Sequence, residues 1–188
     1  MMTDRLEVEI KYPVADAADF RARATAAAGR PPQTEKQTDR YFQAPDRNFA
    51  LTDEALRVRV SAGGARLTYK GPKLDAATKT RRELEVPFPT SGADDLVELL
   101  GALGYRLTLA VRKTRESWRL TRGGRACEVC LDHVAGLPPH AEIETLAPAA
   151  ELDSARGVLT ALATELGLDG PTERRSYLEL LLAAGPAP

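Results

Sequence analysis

Leu6-Glu7-Val8-Glu9-Ile10-Lys11 alternates apolar and charged side chains without a break. In an extended strand successive side chains point to opposite faces, so Leu6, Val8 and Ile10 share one face and Glu7, Glu9 and Lys11 the other. Pro13 stops the strand. The same pattern recurs along the chain. Arg57 and Arg59 are flanked by Leu56, Val58 and Val60, and Arg66, Thr68 and Lys70 lie on one side of the next run. Arg81, Glu83 and Glu85 oppose Arg82, Leu84 and Val86. Val111, Lys113 and Arg115 share parity, as do Glu128, Cys130 and Asp132, and Glu142 and Glu144 flank Ile143.

An amphipathic antiparallel strand ordinarily shows its polar face to water. Here that face is charged rather than mixed polar, and it carries Glu-x-Glu three times. Like charges in such rows are unfavourable unless something lies between them. A closed antiparallel β-barrel accounts for the pattern: apolar faces pack outward against helices, and charged faces line a lumen. Charges taken out of water must be paired or bound to ions. Carboxylates take hard cations such as Mg²⁺ or Mn²⁺, while lysines and arginines take phosphate oxygens. A metal–triphosphate complex needs both kinds of group in one cavity.

The rest of the chain supplies the elements of an α+β domain with eight strands. After the first strand, residues 15–28 read as an alanine-rich helix with Asp16 or Asp19 near its start and Gly29 past its end. Residues 33–43 read as a strand and 44–53 as a loop with a helical turn. Residues 55–61 and 65–70 form a hairpin across Ala62-Gly63-Gly64, closed by Gly71-Pro72. Residues 74–79 read as a polar loop and 80–88 as a strand. Ser91 is expected to cap a helix running to Leu103, with Gly104 as its stop. Residues 105–113 and 115–121 read as the arms of a long hairpin or a bent strand pair, followed by a turn at Gly123-Gly124. Strands at 127–134 and 141–146 flank a turn at 136–139, and residues 152–166 and 173–183 read as helices. Most strands neighbour their partners in sequence, which predicts an antiparallel sheet and one domain over residues 1–188.

Composition narrows the function. With 26 basic and 27 acidic residues among 188, the chain lacks the basic excess of a protein that coats nucleic acid. No apolar run approaches the roughly 20 residues that span a bilayer, and residues 1–11 reach acidic side chains at once. A cytoplasmic protein without nucleic-acid or membrane partners is expected. Two cysteines make no disulfide framework.

Glu7-x-Glu9-x-Lys11 resembles the N-terminal signature of the CYTH superfamily, the triphosphate tunnel metalloenzymes, which includes class IV adenylate cyclases, thiamine triphosphatases and inorganic polyphosphatases. Further motifs follow in that family's order: Asp39-Arg40-Tyr41-Phe42, residues 55–59, residues 67–72, residues 81–85, residues 111–115, residues 131–137, Glu142-Ile143-Glu144 and residues 175–181. The closing Ser176-Tyr177-Leu178-Glu179-Leu180 looks most like the class IV adenylate cyclase branch. The resemblance implies that Glu7, Glu9, Glu142 and Glu144 bind Mg²⁺ or Mn²⁺, with Asp132 ligating directly or through water. It implies that Glu83 and Glu85 complete the acidic wall or hold basic neighbours. Lys11, Arg57, Arg59, Lys70, Lys113 and Arg115 would grip the phosphates and carry the chemistry. Arg81 has the parity to join them, and Arg174 or Arg175 would reach in from one mouth. The implied substrate is ATP, cyclised to cyclic AMP and pyrophosphate. The alternatives are an inorganic or thiamine triphosphatase and a non-catalytic binder of nucleotide or polyphosphate. Leu137-Pro138-Pro139-His140 replaces the glycine and aromatic usual in the family, and His133 stands where an acid is common, so the sequence leaves the organic part of the substrate open.

Four other features are assigned to packing or solvent. Cys127 and Cys130 lie three apart and face opposite ways on a strand. His133 and His140 border a turn. Trp118 fits outer packing better than ring stacking on a ligand. The leucines at 178 and 180–182 belong to the core, with part of that surface left for a homodimer contact.

Overall fold

In the computed structural model, residues 5–74 and 80–185 are described. Eight strands form one sheet in the order β1-β8-β7-β6-β2-β3-β4-β5, every neighbouring pair antiparallel. They are β1 (Arg5–Pro13), β2 (Gln33–Gln43), β3 (Ala55–Ser61), β4 (Gly64–Lys70), β5 (Glu83–Phe88), β6 (Arg106–Arg122), β7 (Arg125–Val134) and β8 (His140–Pro148). The helices are α1 (Ala17–Ala28), a single turn α2 (Phe49–Thr52), α3 (Ala93–Ala102), α4 (Leu152–Glu165) and α5 (Tyr177–Ala184).

The alternation in the sequence decides which way the sheet curls. Val8, Ile10, Trp118, Val129, Leu131 and Ile143 point outward and are buried beneath Phe20 and Ala24 of α1 and Leu159 and Leu162 of α4. Each fully buried side chain of this size contributes roughly 1.5–3 kcal/mol. Trp118 belongs to this outer layer, edge-on to Phe20 and donating to Thr25 Oγ1 at 3.1 Å. A second cluster, with Leu56, Val58 and Leu100, seats α3 on the opposite flank. The concave side is left to the charged rows.

The sheet curls into an open half-barrel, not the closed barrel expected from the sequence. Among the described residues β1 forms a ladder only with β8 and β5 only with β4, and one isolated bridge joins β1 to the residues just before β5, where Arg81 N donates to Glu7 O at 3.4 Å. Beyond the β4–β5 ladder, Gly71 N still donates to Arg82 O at 3.0 Å and Leu74 N to Thr80 O at 2.8 Å. Residues 75–79 of the expected polar loop lie outside the described residues. Farther along the free edge of β1, Glu173 N donates to Lys11 O at 2.7 Å, which satisfies one of its carbonyls.

Other boundaries moved for local reasons. Residues 106–122 form one continuous strand, and its register slips once, opposite Tyr41 and Phe42. Ser91 lies in a 3₁₀ turn and caps nothing. The last helix begins at Tyr177, where Ser176 and Glu179 close a capping box.

The Gly123-Gly124 turn joins β6 to β7 with φ of 55° and 75° at its two glycines, as a type I′ hairpin turn requires. A Cβ at Gly123 would lie 2.7 Å from Val158 Cγ2 of α4, whereas one at Gly124 would meet nothing within 4 Å. Gly123→Ala should therefore cost about 2–4 kcal/mol, from the left-handed backbone plus overpacking, and Gly124→Ala about 1–2 kcal/mol, from the backbone alone. Urea denaturation of the two variants checks the difference.

Candidate active site

The half-barrel encloses a cavity of about 380 Å³ lined by Glu9, Arg59, Glu85 and Glu144 together with most of the other charged side chains singled out in the sequence. Register decides which of them meet. Glu9 pairs with Glu144, Lys11 with Glu142, and Glu7 with Leu146 across β1 and β8. Carboxylate oxygens of Glu7, Glu9 and Glu144 consequently lie within 4.8 Å of one another. Burial, opposed by Lys70 and reinforced by Glu83 and Glu9, pushes the Glu7 carboxyl up to about 7. Burial and the Glu7 charge likewise push Glu144 well above the carboxylate range. Three oxygen donors that repel one another, Glu9 buried and Glu7 and Glu144 half-buried, fit a hard divalent cation, which would remove the repulsion and supply the missing charge.

Asp132 and Glu142, the other expected metal ligands, are placed differently. Asp132 is fully buried and accepts from Lys113 Nζ at 3.0 Å and Arg115 Nε at 2.8 Å. Burial alone would raise its pKa, but these cations hold it below the usual range. Glu142 accepts from Arg115 and lies 3.8 Å from Lys11 Nζ. Both carboxylates hold the cations in place, outside the group of three.

The remaining cations are held in the same way. Arg59 makes a two-pronged bond to Asp39 at 2.6 and 2.8 Å, and Arg57 Nη1 stands 3.5 Å from the same carboxylate. Asp39 is 1% exposed, yet Arg57 and Arg59 overcome its burial and hold it far below the ordinary range. Lys70 donates to Glu83 and lies 3.8 Å from Glu7, and Arg81 donates to Glu83 at 3.2 Å. Glu85 accepts from Arg66 and Thr68. Arg57 Nε is a buried donor with no partner among the described residues.

Arg175 does not join this group. Its guanidinium sits on Glu173, more than half exposed, and only its carbonyl enters, accepting from Lys11. Tyr177 takes the place at that end. Its buried ring lies 4.2 Å from Lys11 Nζ and 5.0 Å from Lys113 Nζ, with His140 edge-on at 5.7 Å. Cys127 packs in the outer core and Cys130 turns toward Arg115 and Asp132, opposite faces as the spacing requires. His133 lies 3.6 Å from Glu116 beneath α1, which sets it apart from the cavity.

Sequence reasoning gave no role to Asp39 or Tyr177. The alternation Gln37, Asp39, Tyr41 was a usable signal for the first. Tyr177 stands in the closing motif at 176–180, but its place beside Lys11 and Lys113 depends on how α5 crosses the end of the sheet.

The cavity can thus hold anionic oxygens with lysines and arginines and a hard cation with three carboxylates. Among the described residues no helix is long and apolar enough to cross a membrane. The profile of the CYTH domain matches residues 5–177. Adenylate cyclase CyaB of Aeromonas hydrophila is 31% identical over 182 residues, covering 94% of this chain and 88% of that protein. The PH1819 protein from Pyrococcus horikoshii superposes with a TM-score of 0.84 at 39% identity, covering 94% and 98% of the two chains. A Hippeastrum protein described as revealing a dominant triphosphatase activity shares the fold, with a TM-score of 0.69 at 15% identity and coverage of 98% of each chain.

Proposed function

Because this chain belongs to the CYTH family, we propose that it is a metal-dependent enzyme acting on a triphosphate, and that its reaction is conversion of ATP to cyclic AMP and pyrophosphate. The observation that carries this reading is the juxtaposition of Glu7, Glu9 and Glu144 with a wall of buried lysines and arginines in one cavity. A plain anion site has no use for the first group, nor a plain metal site for the second.

Glu7, Glu9 and Glu144 would hold Mg²⁺ or Mn²⁺, which when bound would supply charge to neutralise phosphate oxygens and to lower the pKa of an attacking hydroxyl. The chain's own residues do the rest by position and charge. Lys11, Lys113 and Arg115 face the cavity from one side, and Arg57, Arg59, Lys70 and Arg81 from the other. Without substrate each of them leans on an internal carboxylate, which keeps buried charge compensated. A triphosphate replaces part of that compensation, and Arg57 Nε gains the acceptor it lacks. In cyclisation the ribose 3′-oxygen bonds to the α-phosphorus as the bond to pyrophosphate breaks.

Hydrolysis of a terminal phosphate is a second reading, supported by the fold shared with the Hippeastrum protein. The same residues would serve, with water as nucleophile. Incubation with Mg²⁺ or Mn²⁺ and, separately, ATP, inorganic triphosphate or thiamine triphosphate separates the two. Cyclic AMP from ATP supports the cyclase, and phosphate released mainly from the other substrates supports the hydrolase. Absence of turnover and of metal-dependent binding for all three would contradict both. Lys70→Ala is expected to lower turnover at least a hundredfold, because it removes a cation from the phosphate wall, with near-native circular dichroism as the control.

A further inference from the structure

Tyr177 stands in the wall of the cavity with only part of its side chain in use. It is buried and opens α5, whose start is fixed by the capping box of Ser176 and Glu179. Its ring packs with Tyr41, Val111 and Val134, meets His140 edge-on, and carries the ammonium groups of Lys11 and Lys113. Its hydroxyl is left over. Like Arg57 Nε, Tyr177 Oη is buried and makes no hydrogen bond of ordinary length and angle among the described residues. An unpaired buried hydroxyl costs stability, and phenylalanine would fill the same space without that cost. The carboxylate beside it is already taken. Lys113, 5.0 Å from the ring, donates to Asp132 Oδ2 at 3.0 Å, and Arg115 holds both oxygens of the same group. Burial, then the charges of Glu142 and Asp132, push the phenol well above its ordinary range, so the hydroxyl keeps its proton at neutral pH.

We infer that Tyr177 is a positioning residue for the triphosphate: when phosphate oxygens draw Lys113 and Arg115 away, its hydroxyl donates to Asp132 in their place. The inference rests on the reading of the cavity as a triphosphate site and adds a residue that makes the exchange of partners less costly. Asp132 has no exposed surface through which water could replace its cations. Stripped of them it would be a buried, uncompensated charge. A neutral phenol offers one O–H, and a hydrogen bond to a carboxylate is stronger than one between neutral groups. The hydroxyl thus has no acceptor while the cations rest on Asp132 and gains one as they turn to the ligand. Its proton stays on Oη throughout.

The test is calorimetric titration of inorganic triphosphate, with Mn²⁺, into the parent, Tyr177→Phe, Asp132→Asn and the double variant, together with the melting temperature of each without ligand. Phenylalanine keeps the ring on Lys11, Lys113 and His140 and removes the hydroxyl alone. Tyr177→Phe is expected to weaken the Kd about tenfold, while its melting temperature without ligand equals or exceeds the parent's. In the Asp132→Asn background the same substitution should change the Kd by less than about threefold, since a neutral amide gains less from the hydroxyl than a carboxylate does. An unchanged Kd in Tyr177→Phe would overturn the inference, and this comparison needs no Asp132 variant to fold. A lower melting temperature in Tyr177→Phe would also overturn it, by making the hydroxyl an anchor of the ligand-free fold. So would an equal loss of affinity in both backgrounds, which would put the hydroxyl on the phosphate itself. Failure of the parent to bind triphosphate would instead refute the triphosphate reading, and this inference with it.

Discussion

Replacing Glu144 by glutamine will lower turnover of a metal–triphosphate substrate by roughly a thousandfold or more, and will at the same time raise the melting temperature of the metal-free protein. The two effects have one cause. Glu144 shares a half-buried space with Glu7 and Glu9, and burial and the Glu7 charge disfavour its ionised form. Glutamine keeps the shape and removes the charge. In the metal-free state this relieves repulsion on the order of 1–3 kcal/mol, or several degrees in melting temperature for a chain of this length. With metal present the loss is decisive. A bound cation contributes several kcal/mol of charge stabilisation in the transition state, and each 1.36 kcal/mol is about tenfold in rate. Differential scanning calorimetry with and without Mn²⁺ reads both sides: the variant should melt higher than the parent without metal and respond little to its addition. A residue acting as an ordinary structural anchor would show the opposite, a lower melting temperature with the metal response intact.

Asp132→Asn tests the other half of the site. Asp132 is fully buried and accepts from Lys113 and Arg115. Breaking a buried pair by removing one partner typically costs about 3–5 kcal/mol, because the opposite charge is left uncompensated. A loss in that range is expected by urea denaturation at neutral pH, with the Mn²⁺-induced shift retained, since Asp132 lies outside the group of three carboxylates. Inorganic triphosphate should recover part of the loss by supplying new acceptors to the two cations. The pH dependence has a definite sign. Because Lys113 and Arg115 hold the folded-state pKa of Asp132 below its unfolded value, its contribution is fully present above the unfolded value and is lost as pH falls through the folded one. Parent and variant should therefore converge in acid and differ most near neutrality.

The fold was legible where side-chain parity carries the information. β2 spans the expected residues 33–43, and the outward residues of β1, β7 and β8 are those that alternation assigns. Parity is lost where both faces are charged. In β6, Lys113 and Arg115 face the cavity, while Glu116 on the outer face is 8% exposed and receives two hydrogen bonds of 2.6 Å from Arg21 of α1. An ion pair beneath a helix interrupts the apolar row, and one strand reads as two. Closure of the barrel was not legible either, because whether β1 and β5 pair is a matter of backbone path rather than periodicity.

The site shows the same division. Parity places Glu142 and Glu144 on one face, but it does not give the level of each along the strand. Register does: Glu142 falls opposite Lys11, and Glu144 opposite Glu9. Carboxylates two residues apart thus take different tasks, one beside a cation and one in the group of three. The closing motif includes Tyr177, but its place by Lys11 and Lys113 follows from the crossing of α5, which local pattern does not give.

In the proposed function, the concave ionic rows form one site for a metal and a triphosphate together. Calorimetric titration of inorganic triphosphate into the protein, with Mn²⁺ and again with EDTA, tests this most directly. Saturable one-to-one binding that strengthens at least tenfold with Mn²⁺ and is lost in Glu144→Gln is the predicted result. Binding indifferent to metal, or no binding in either condition, would contradict it.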